Sequence, residues 1–506
     1  MSFTGRLQPY LNRDVIVILL LGMASGLPYL LVFGTLSVWL VEAGIERATI
    51  GFLSWSLLAY GFKFIWSPLI DSLPIPWLSN RFGRRRSWLL VAQSMIVAAL
   101  LLMAIADPID KQQLIVLAIG AIWLAFASAT QDIVIDAYRI DLATPKYQAL
   151  FAGTAISGYR IGMVLASAGV LEISNAFDTE GYTVLGWQIA YSAMAAIMCL
   201  AALLTLAIRE PDIVNPLFYS NNQRATTLLH FALMVAAFII AFVIYKTWFV
   251  LPELTWSTGS RGLVHFGYEV LGLVMALTCA IASGRLLIKI GLLNQADFSR
   301  IYIQPFSDFF KRYGRFALWL LLLICFYRIS DIVMGKMAKV FYYEMGYSKA
   351  IIGRVSFGFG IVVSLTGGVL GGLLAYHFGI LRILLLGAIL AAASNLVFVI
   401  LAHLATPSTT ALCLAIVADN LSGGLASAAA VAFMSSLVNR EFSATQYAAF
   451  TSITQLLPSL IAGYSGQIVD AIDYPAFFIL TAAMGVPVIF LIVKIWKNYR
   501  QLSIDG

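Results

Sequence analysis

Fourteen long apolar stretches, separated by short polar breaks, constrain this chain more than any other feature. They run over about 15–41, 48–70, 87–106, 113–138, 148–172, 186–208, 228–250, 266–290, 316–341, 349–376, 379–402, 409–437, 446–469 and 475–497. A helix needs about 20 apolar residues to cross a bilayer, so fourteen spans would use roughly 300 residues. The composition supplies them: 61% of the 506 residues are hydrophobic and only 11% are Asp, Glu, Lys or Arg. Soluble domains carry about 25% charged residues. A soluble enzyme, a nucleic-acid binder and a disordered scaffold are therefore poor readings. Helices satisfy every backbone group within their own segment, so the expected fold class is an all-α polytopic membrane protein. No cleavable signal peptide is expected, because the first stretch is too long for one.

The net charge of +7 is written in the short loops. With the N-terminus inside, cytoplasmic loops would hold Arg6, Arg13, Arg81, Arg84, Arg85, Arg86, Lys146, Arg224, Arg300, Lys311, Arg312, Arg315, Arg382, Arg440, Lys497 and Arg500. Outer loops would hold Arg47, Lys111, Arg261 and Lys349. This asymmetry predicts cytoplasmic termini. Cys199, Cys279, Cys325 and Cys413 lie inside apolar stretches without metal-ligand spacing and read as packing residues. No phosphate-binding loop or nucleophile motif is present, so an ion gradient is the expected energy source and no cofactor or metal is implied.

Ionisable groups at bilayer depth are costly and mark pathways or proton relays. The fourth stretch places Ser128, Asp132, Asp136 and Arg139 on one helix face. Two carboxylates a turn apart suit a proton carrier, and Asp132 and Asp136 are the candidates for proton coupling. Arg139 could instead neutralise Asp136 as a structural pair. The second stretch repeats the pattern with Ser56, Tyr60, Lys63 and Ser67, and Lys63 could bind an anion or balance Asp132. Tyr159 and Arg160, Arg328 and Asp331, Gln131, and Asn420 within Asp419-Asn420-Leu421-Ser422 complete the candidate binding set. Lys63, Arg160 and Arg328 suit carboxylates or phosphates; the alternative is burial as pairs with Asp132 or Asp331. Gly158-x-x-x-Gly162 and Gly367-Gly368-x-x-Gly371-Gly372 predict close helix packing.

An internal repeat organises the spans. Asp71 followed by Arg81-Phe82-Gly83-Arg84-Arg85-Arg86 comes after the second stretch, and Gly372-Leu-Leu-Ala-Tyr376-His377-Phe-Gly379-Ile-Leu-Arg382 after the tenth. Both resemble the loop between the second and third helices of each half of a major facilitator superfamily transporter. That resemblance implies two six-helix halves, 1–227 and 301–506, with an inserted helix pair and linker at 228–300. Asp71, Arg81, Arg84 and Arg85 are then candidate latch residues; the arginines could equally be topology determinants alone.

A set of motifs is more specific. Ala24-Ser-Gly-Leu-Pro28, Ala59-Tyr-Gly-Phe-Lys63-Phe-Ile-Trp-Ser-Pro-Leu-Ile-Asp71, Ser128-Ala-Thr-Gln-Asp132-Ile-Val-Ile-Asp136-Ala-Tyr138, Gly158-Tyr-Arg-Ile-Gly-Met163, Asn420-Leu-Ser-Gly-Gly424 and Phe442-Ser-Ala-Thr-Gln-Tyr447 resemble the AmpG muropeptide permease family. The resemblance covers both halves and not the inserted pair. It implies a carrier in a bacterial inner membrane, importing an anionic sugar-peptide with protons; a monomer in contact with membrane lipids is the expected state. Another anionic solute, such as acetyl-CoA or a peptide, is the alternative cargo.

Overall fold

The computed structural model describes residues 12–502 except 33, 47–48, 51–52, 54–55, 57, 178–181, 213–220, 249–257, 291–294 and 405. Among the described residues all regular structure is helical. The chain opens with α1 (Arg13–Val32) and α2 (Gly34–Glu42). A broken second span follows as α3 (Leu58–Phe62), a 3-10 turn at Lys63–Ile65, and α4 (Ser67–Ser72). After α5 (Leu78–Phe82) come the long helices α6 (Arg84–Ala104), α7 (Lys111–Leu142) and α8 (Gln148–Val164). A π-helical turn at Leu165–Gly169 joins α8 to α9 (Val170–Ala176), and α10 (Val184–Ala207) completes this region.

Two helices, α11 (Asn221–Trp248) and α12 (Thr258–Lys289), then pack on each other. Tyr245 and Tyr268 stack at 4.7 Å between them, and the Tyr245 hydroxyl donates to the Tyr268 carbonyl at 2.9 Å. The remainder is α13 (Gln295–Phe298), α14 (Gln304–Tyr313), α15 (Ala317–Phe326), α16 (Ile329–Glu344), α17 (Lys349–Ile352), α18 (Gly360–Phe378), α19 (Ile380–Ala402), α20 (Thr409–Leu437), α21 (Ser443–Ala462) and α22 (Ser465–Leu502). α22 is two helical pieces across Asp473, whose φ is 63°.

Among the described residues, 10 helical runs are long and apolar enough to cross a membrane, so the chain is a multi-pass membrane protein. The other four expected stretches fall on the broken second span, on α11 and α12, and on α21 with its internal Pro458. Arg6 and Arg47 lie outside the described residues, as do the side chains of Arg224, Arg261, Lys349, Arg500, His230 and His265.

Four buried apolar clusters hold the fold. Two are built from residues between Val15 and Ile208, with Ala444 and Ala448 joining one of them. The other two draw on residues between Phe309 and Ile495, with Ile140, Ala149 and Ala152 joining one. Among the described residues, none has a buried member from α11 or α12.

Glycine sets the tightest contact. A Cβ on Gly26 of α1 would stand 2.0 Å from the Tyr159 carbonyl oxygen, and one on Gly162 of α8 would stand 2.1 Å from that of Met23. Backbone therefore touches backbone, as small residues permit between membrane helices. This fixes α1 and α8, which carry Ser25, Tyr29, Tyr159 and Arg160, at one separation.

The second span corrects the continuous stripe expected at Ser56, Tyr60, Lys63 and Ser67. α3 ends at Phe62, Lys63 opens the 3-10 turn, and Pro68 sits in the first turn of α4. Proline has no N–H to continue a helix and clashes with the preceding turn. The two serines are spent locally: Ser56 donates to the Leu53 carbonyl at 2.6 Å and Ser67 to that of Phe64 at 3.0 Å.

Candidate functional site

Asp132 lies in the C-terminal third of α7, 8% exposed. Its Oδ1 accepts a 2.5 Å hydrogen bond from the Ser25 hydroxyl of α1. The buried Tyr60 and Ser128 hydroxyls stand beside it without a hydrogen bond of good geometry. The charges of Lys63 and Asp136 both bear on the Asp132 carboxylate, but among the described residues no direct ion pair joins Lys63 to it. Lys63 is itself buried, at 7% exposure, in the 3-10 break. Irregular backbone at membrane depth is tolerated where it is buried in protein or lines a cavity.

Three tyrosines lead from this acidic pole. Tyr29 meets Tyr60 edge-on at 5.2 Å and Tyr159 at 6.2 Å. Next to Tyr159 on α8, Arg160 is half-buried and falls in the combined field of Arg328, Tyr29 and Asp419. Arg328 stands at a second break, between α15 and α16, and its Nε is 3.9 Å from Asp331 Oδ2. That contact is too long for a hydrogen bond, so the local pair expected there is loose. Asp331 occupies the first turn of α16, where the helix dipole favours an anion. Asp419 on α20 faces the same charges, Asp331, Arg328 and Arg160.

The structure thus brings together Tyr60, Lys63, Asp132, Tyr159, Arg160, Arg328 and Asp331. Three other expected residues are engaged elsewhere. Gln131 is fully buried and donates to the Ala24 carbonyl at 2.8 Å, tying α7 to α1. Asn420 donates along its own helix to the Ile416 carbonyl at 3.0 Å. Asp136 pairs with Arg139 at 3.3 Å, and Arg139 continues to the Ser435 hydroxyl at 3.0 Å and lies over the Tyr447 ring.

Three of the four candidate latch residues, Asp71, Arg84 and Arg85, meet in a second, buried site at one end of the bundle. Asp71 Oδ2 accepts from the Thr445 backbone N–H and hydroxyl, both at 2.7 Å, and Oδ1 accepts from the Ala444 N–H at 3.2 Å. These donors open α21, so one carboxylate caps a helix about 370 residues away in sequence. Arg85 Nη2 donates to Asp71 Oδ1 at 2.9 Å and to the Ser443 hydroxyl at 2.7 Å, while its Nε donates to Asp141 at 2.8 Å. Arg84 donates to the Asp71 carbonyl, and Arg440 to the Ala143 carbonyl. Arg86 binds the Thr205 and Leu206 carbonyls at the end of α10. Arg81 does not join: it is exposed and lies over the Trp77 and Phe82 rings.

Glu210 supports the latch from outside the spans. Its carboxylate accepts from the Arg85 and Arg86 N–H groups at 2.7 and 3.0 Å, capping α6. Burial pushes its pKa up, and those N–H groups pull it back. Gly83, at φ 87°, leaves the room this needs, since a Cβ there would stand 2.3 Å from the Glu210 carboxyl carbon.

Sequence reasoning passed over Ser25, Asp141, Glu210 and Asp419 as site residues. Asp419 was open to the same argument as Asp132, a carboxylate inside an apolar stretch. Asp141 follows Arg139 by two residues and reads like a helix-end charge. Ser25 and Glu210 have no local signal, because each acts across more than a hundred residues.

Known proteins extend this picture. A putative transporter AmpG 4 of Rickettsia felis is 29% identical over 481 residues, covering 95% of this chain and 96% of that protein. The anhydromuropeptide permease of Escherichia coli K12 is 29% identical over 495 residues, covering 96% of this chain and 81% of that one. These bear out the resemblance to AmpG permeases. Among solved structures, the proton:xylose symporter XylE bound to 6-bromo-6-deoxy-D-glucose superposes with a TM-score of 0.62 at 14% identity, covering 97% of this chain and 96% of that one. FucP in the outward conformation gives 0.60 at 12% identity, with coverages of 95% and 98%. These share the fold. The family profile described as Major Facilitator Superfamily matches residues 12–303, more than half of the chain. The chain belongs to the Major Facilitator Superfamily.

Proposed function

We propose that this protein is a proton-coupled permease that imports anhydromuropeptides, N-acetylglucosaminyl-1,6-anhydro-N-acetylmuramyl peptides, from periplasm to cytoplasm. The imported cargo would feed peptidoglycan recycling and, where β-lactamase is inducible, supply the inducing signal. Similarity over nearly the full length to a protein named anhydromuropeptide permease supports the cargo. The site chemistry agrees with it. Arg160 and Arg328 present guanidinium groups suited to peptide carboxylates, and Tyr29, Tyr60 and Tyr159 offer rings for sugar faces. The observation that carries the coupling is Asp132: a buried carboxylate held by one serine, beside a lysine it does not directly pair with.

The cycle alternates access between two six-helix halves, 1–227 and 301–506, about a site near the midplane. Protonation of Asp132 removes the charge that balances Lys63. Cargo carboxylates then neutralise the cations, and the site can turn inward without exposing a bare charge to lipid. Asp136 is the second candidate carboxylate, although its pairing with Arg139 makes it the less free of the two. The Asp71–Arg85–α21 latch closes one end. Arg84–Arg86, Lys146, Arg382 and Arg440 cluster around that end, so by the positive-inside tendency it faces the cytoplasm, with both termini.

Uptake of labelled anhydromuropeptide into proteoliposomes, with and without an inward proton gradient, tests both parts. Gradient-dependent accumulation is expected. Folded, correctly inserted protein that accumulates none would overturn the cargo, and uptake indifferent to the gradient would overturn the coupling. Competition by acetyl-CoA or a peptide, without competition by muropeptide, would favour the alternative cargo.

A further inference from the structure

The latch end holds a second loop built on the same plan. Residues 376–382 lead from α18 into α19, as residues 71–86 lead from α4 into α6. In the first loop, the Asp71 carboxylate fills the N-terminus of α21. In the second, Tyr376 and His377 stand at the matching position, against the N-terminus of α8. Tyr376 contacts the Tyr147 ring at 5.7 Å, and Tyr147, the residue preceding α8, makes no side-chain capping hydrogen bond. The carboxylate that closes the first junction has no counterpart here.

The junction instead holds a cavity of about 590 Å³. Lys146 and Ala149 wall it on the α8 side; His377, Arg382, Ser436 and Trp496 wall the other. Among the described residues, no Asp or Glu lines it. Lys146 lies over the Tyr376 ring at 5.3 Å, and His377 meets the same ring edge-on. Among the described residues, none of Lys146, His377 and Arg382 forms an ion pair. Three basic side chains thus share one hollow without an acid among the described residues, at the positive end of a 17-residue helix.

We propose that this cavity binds a phosphate-bearing anion, either a free phosphate ester or the headgroup of an anionic phospholipid. The ligand replaces the missing carboxylate: Lys146 and Arg382 supply charge-assisted hydrogen bonds, and the first N–H groups of α8 supply the rest. The volume exceeds what a carboxylate side chain would fill and accommodates a phosphate with its ester group. Exposed Phe378 and half-buried Trp496 give the walls an apolar side suited to a lipid. Because the walls come from both sides of the junction, the bound anion joins residues 145–149 to residues 376–382 and 436. It therefore favours the closed latch over any state that separates them. The proposal is independent of the cargo.

The test uses the full chain in nanodiscs. Inorganic phosphate is titrated against chloride at matched ionic strength in phosphatidylcholine discs, and phosphatidylglycerol is separately substituted for phosphatidylcholine. The unfolding midpoint is the readout. A saturable rise with phosphate identifies a free ester as the source, and a rise confined to phosphatidylglycerol discs identifies the headgroup. In either arm, Lys146→Gln and Arg382→Gln, both exposed side chains that leave the core intact, should each weaken the apparent affinity by about tenfold. Absence of a saturable rise in both arms, or an equal response in wild type and both variants, would overturn the proposal.

Discussion

At the scale of single residues, the working question is which carboxylate moves with the cargo. Asp132 is held by the Ser25 hydroxyl and among the described residues has no direct ion pair, whereas Asp136 is bound to Arg139. Asp132→Asn is nearly isosteric and keeps one oxygen for Ser25, but it cannot exchange a proton. It should abolish gradient-driven accumulation and preserve exchange of labelled for unlabelled cargo across the membrane. Full gradient-driven accumulation in this variant would remove Asp132 from the coupling. Arg328 sits in a helix break with its Nε buried and unbonded, so it is free to turn to a ligand. Arg328→Gln should raise the half-saturation concentration for an anionic cargo by about tenfold, with less effect on maximal rate; an unchanged half-saturation concentration would exclude it from binding. The sequence made these groups visible because a charge inside an apolar run is unusual on its face. Their division of labour was not visible. Gln131 looked like a ligand from its place beside Asp132, yet its amide is taken up by the Ala24 carbonyl. Which neighbour claims a polar group depends on contacts between distant segments, and no local pattern encodes those.

At the scale of elements, two junctions control how helices meet. The α1–α8 contact follows from Gly158-x-x-x-Gly162, which the spacing made legible; its partner glycines on α1, Gly22 and Gly26, became evident only in the packed pair. Gly26→Leu would place side-chain atoms where the Tyr159 carbonyl already lies, and such overpacking costs about 1–3 kcal/mol. A lowered unfolding midpoint in detergent is expected; an unchanged midpoint would mean that the two helices separate freely. The loop before α6 also advertised a latch, through its acid and its arginines. Its true acceptor, the start of α21, could not be read from either segment alone. Asp71→Ala would leave the Ala444 and Thr445 N–H groups without their acceptor and Arg85 with Asp141 as its one carboxylate partner among the described residues, beside the Ser443 hydroxyl. Breaking a buried pair in this way costs about 3–5 kcal/mol. Cysteines placed at the latch end should become more accessible to a membrane-impermeant thiol reagent in this variant, while unchanged accessibility would show that the latch does not hold that end shut.

At the scale of the whole molecule, the proposed division is a transport body with an attached helix pair. Among the described residues, the four apolar clusters that hold the helices together recruit residues on either side of α11 and α12 but none within them. The pair satisfies itself instead, through the Tyr245–Tyr268 stack and the buried Tyr245, Ala276 and Ala280, and reaches the body at a contact such as Phe62 with Phe238, 5.7 Å apart. An insertion of two helices also preserves the direction in which the following helices cross, so under the proposed division the pair is not needed for the body to keep its topology. Replacing residues 221–290 by a flexible linker long enough to rejoin the flanking segments should therefore give a protein that reaches the membrane and keeps gradient-driven uptake. The expected loss is in stability at the exposed face near Phe62 rather than in coupling, because among the described residues the hydrogen bonds and ion pairs that hold Asp132, Arg328 and the Asp71 latch involve neither helix. A deletion variant that inserts and melts normally but fails to transport would place the pair inside the transport cycle and overturn the division into two halves with an accessory insertion.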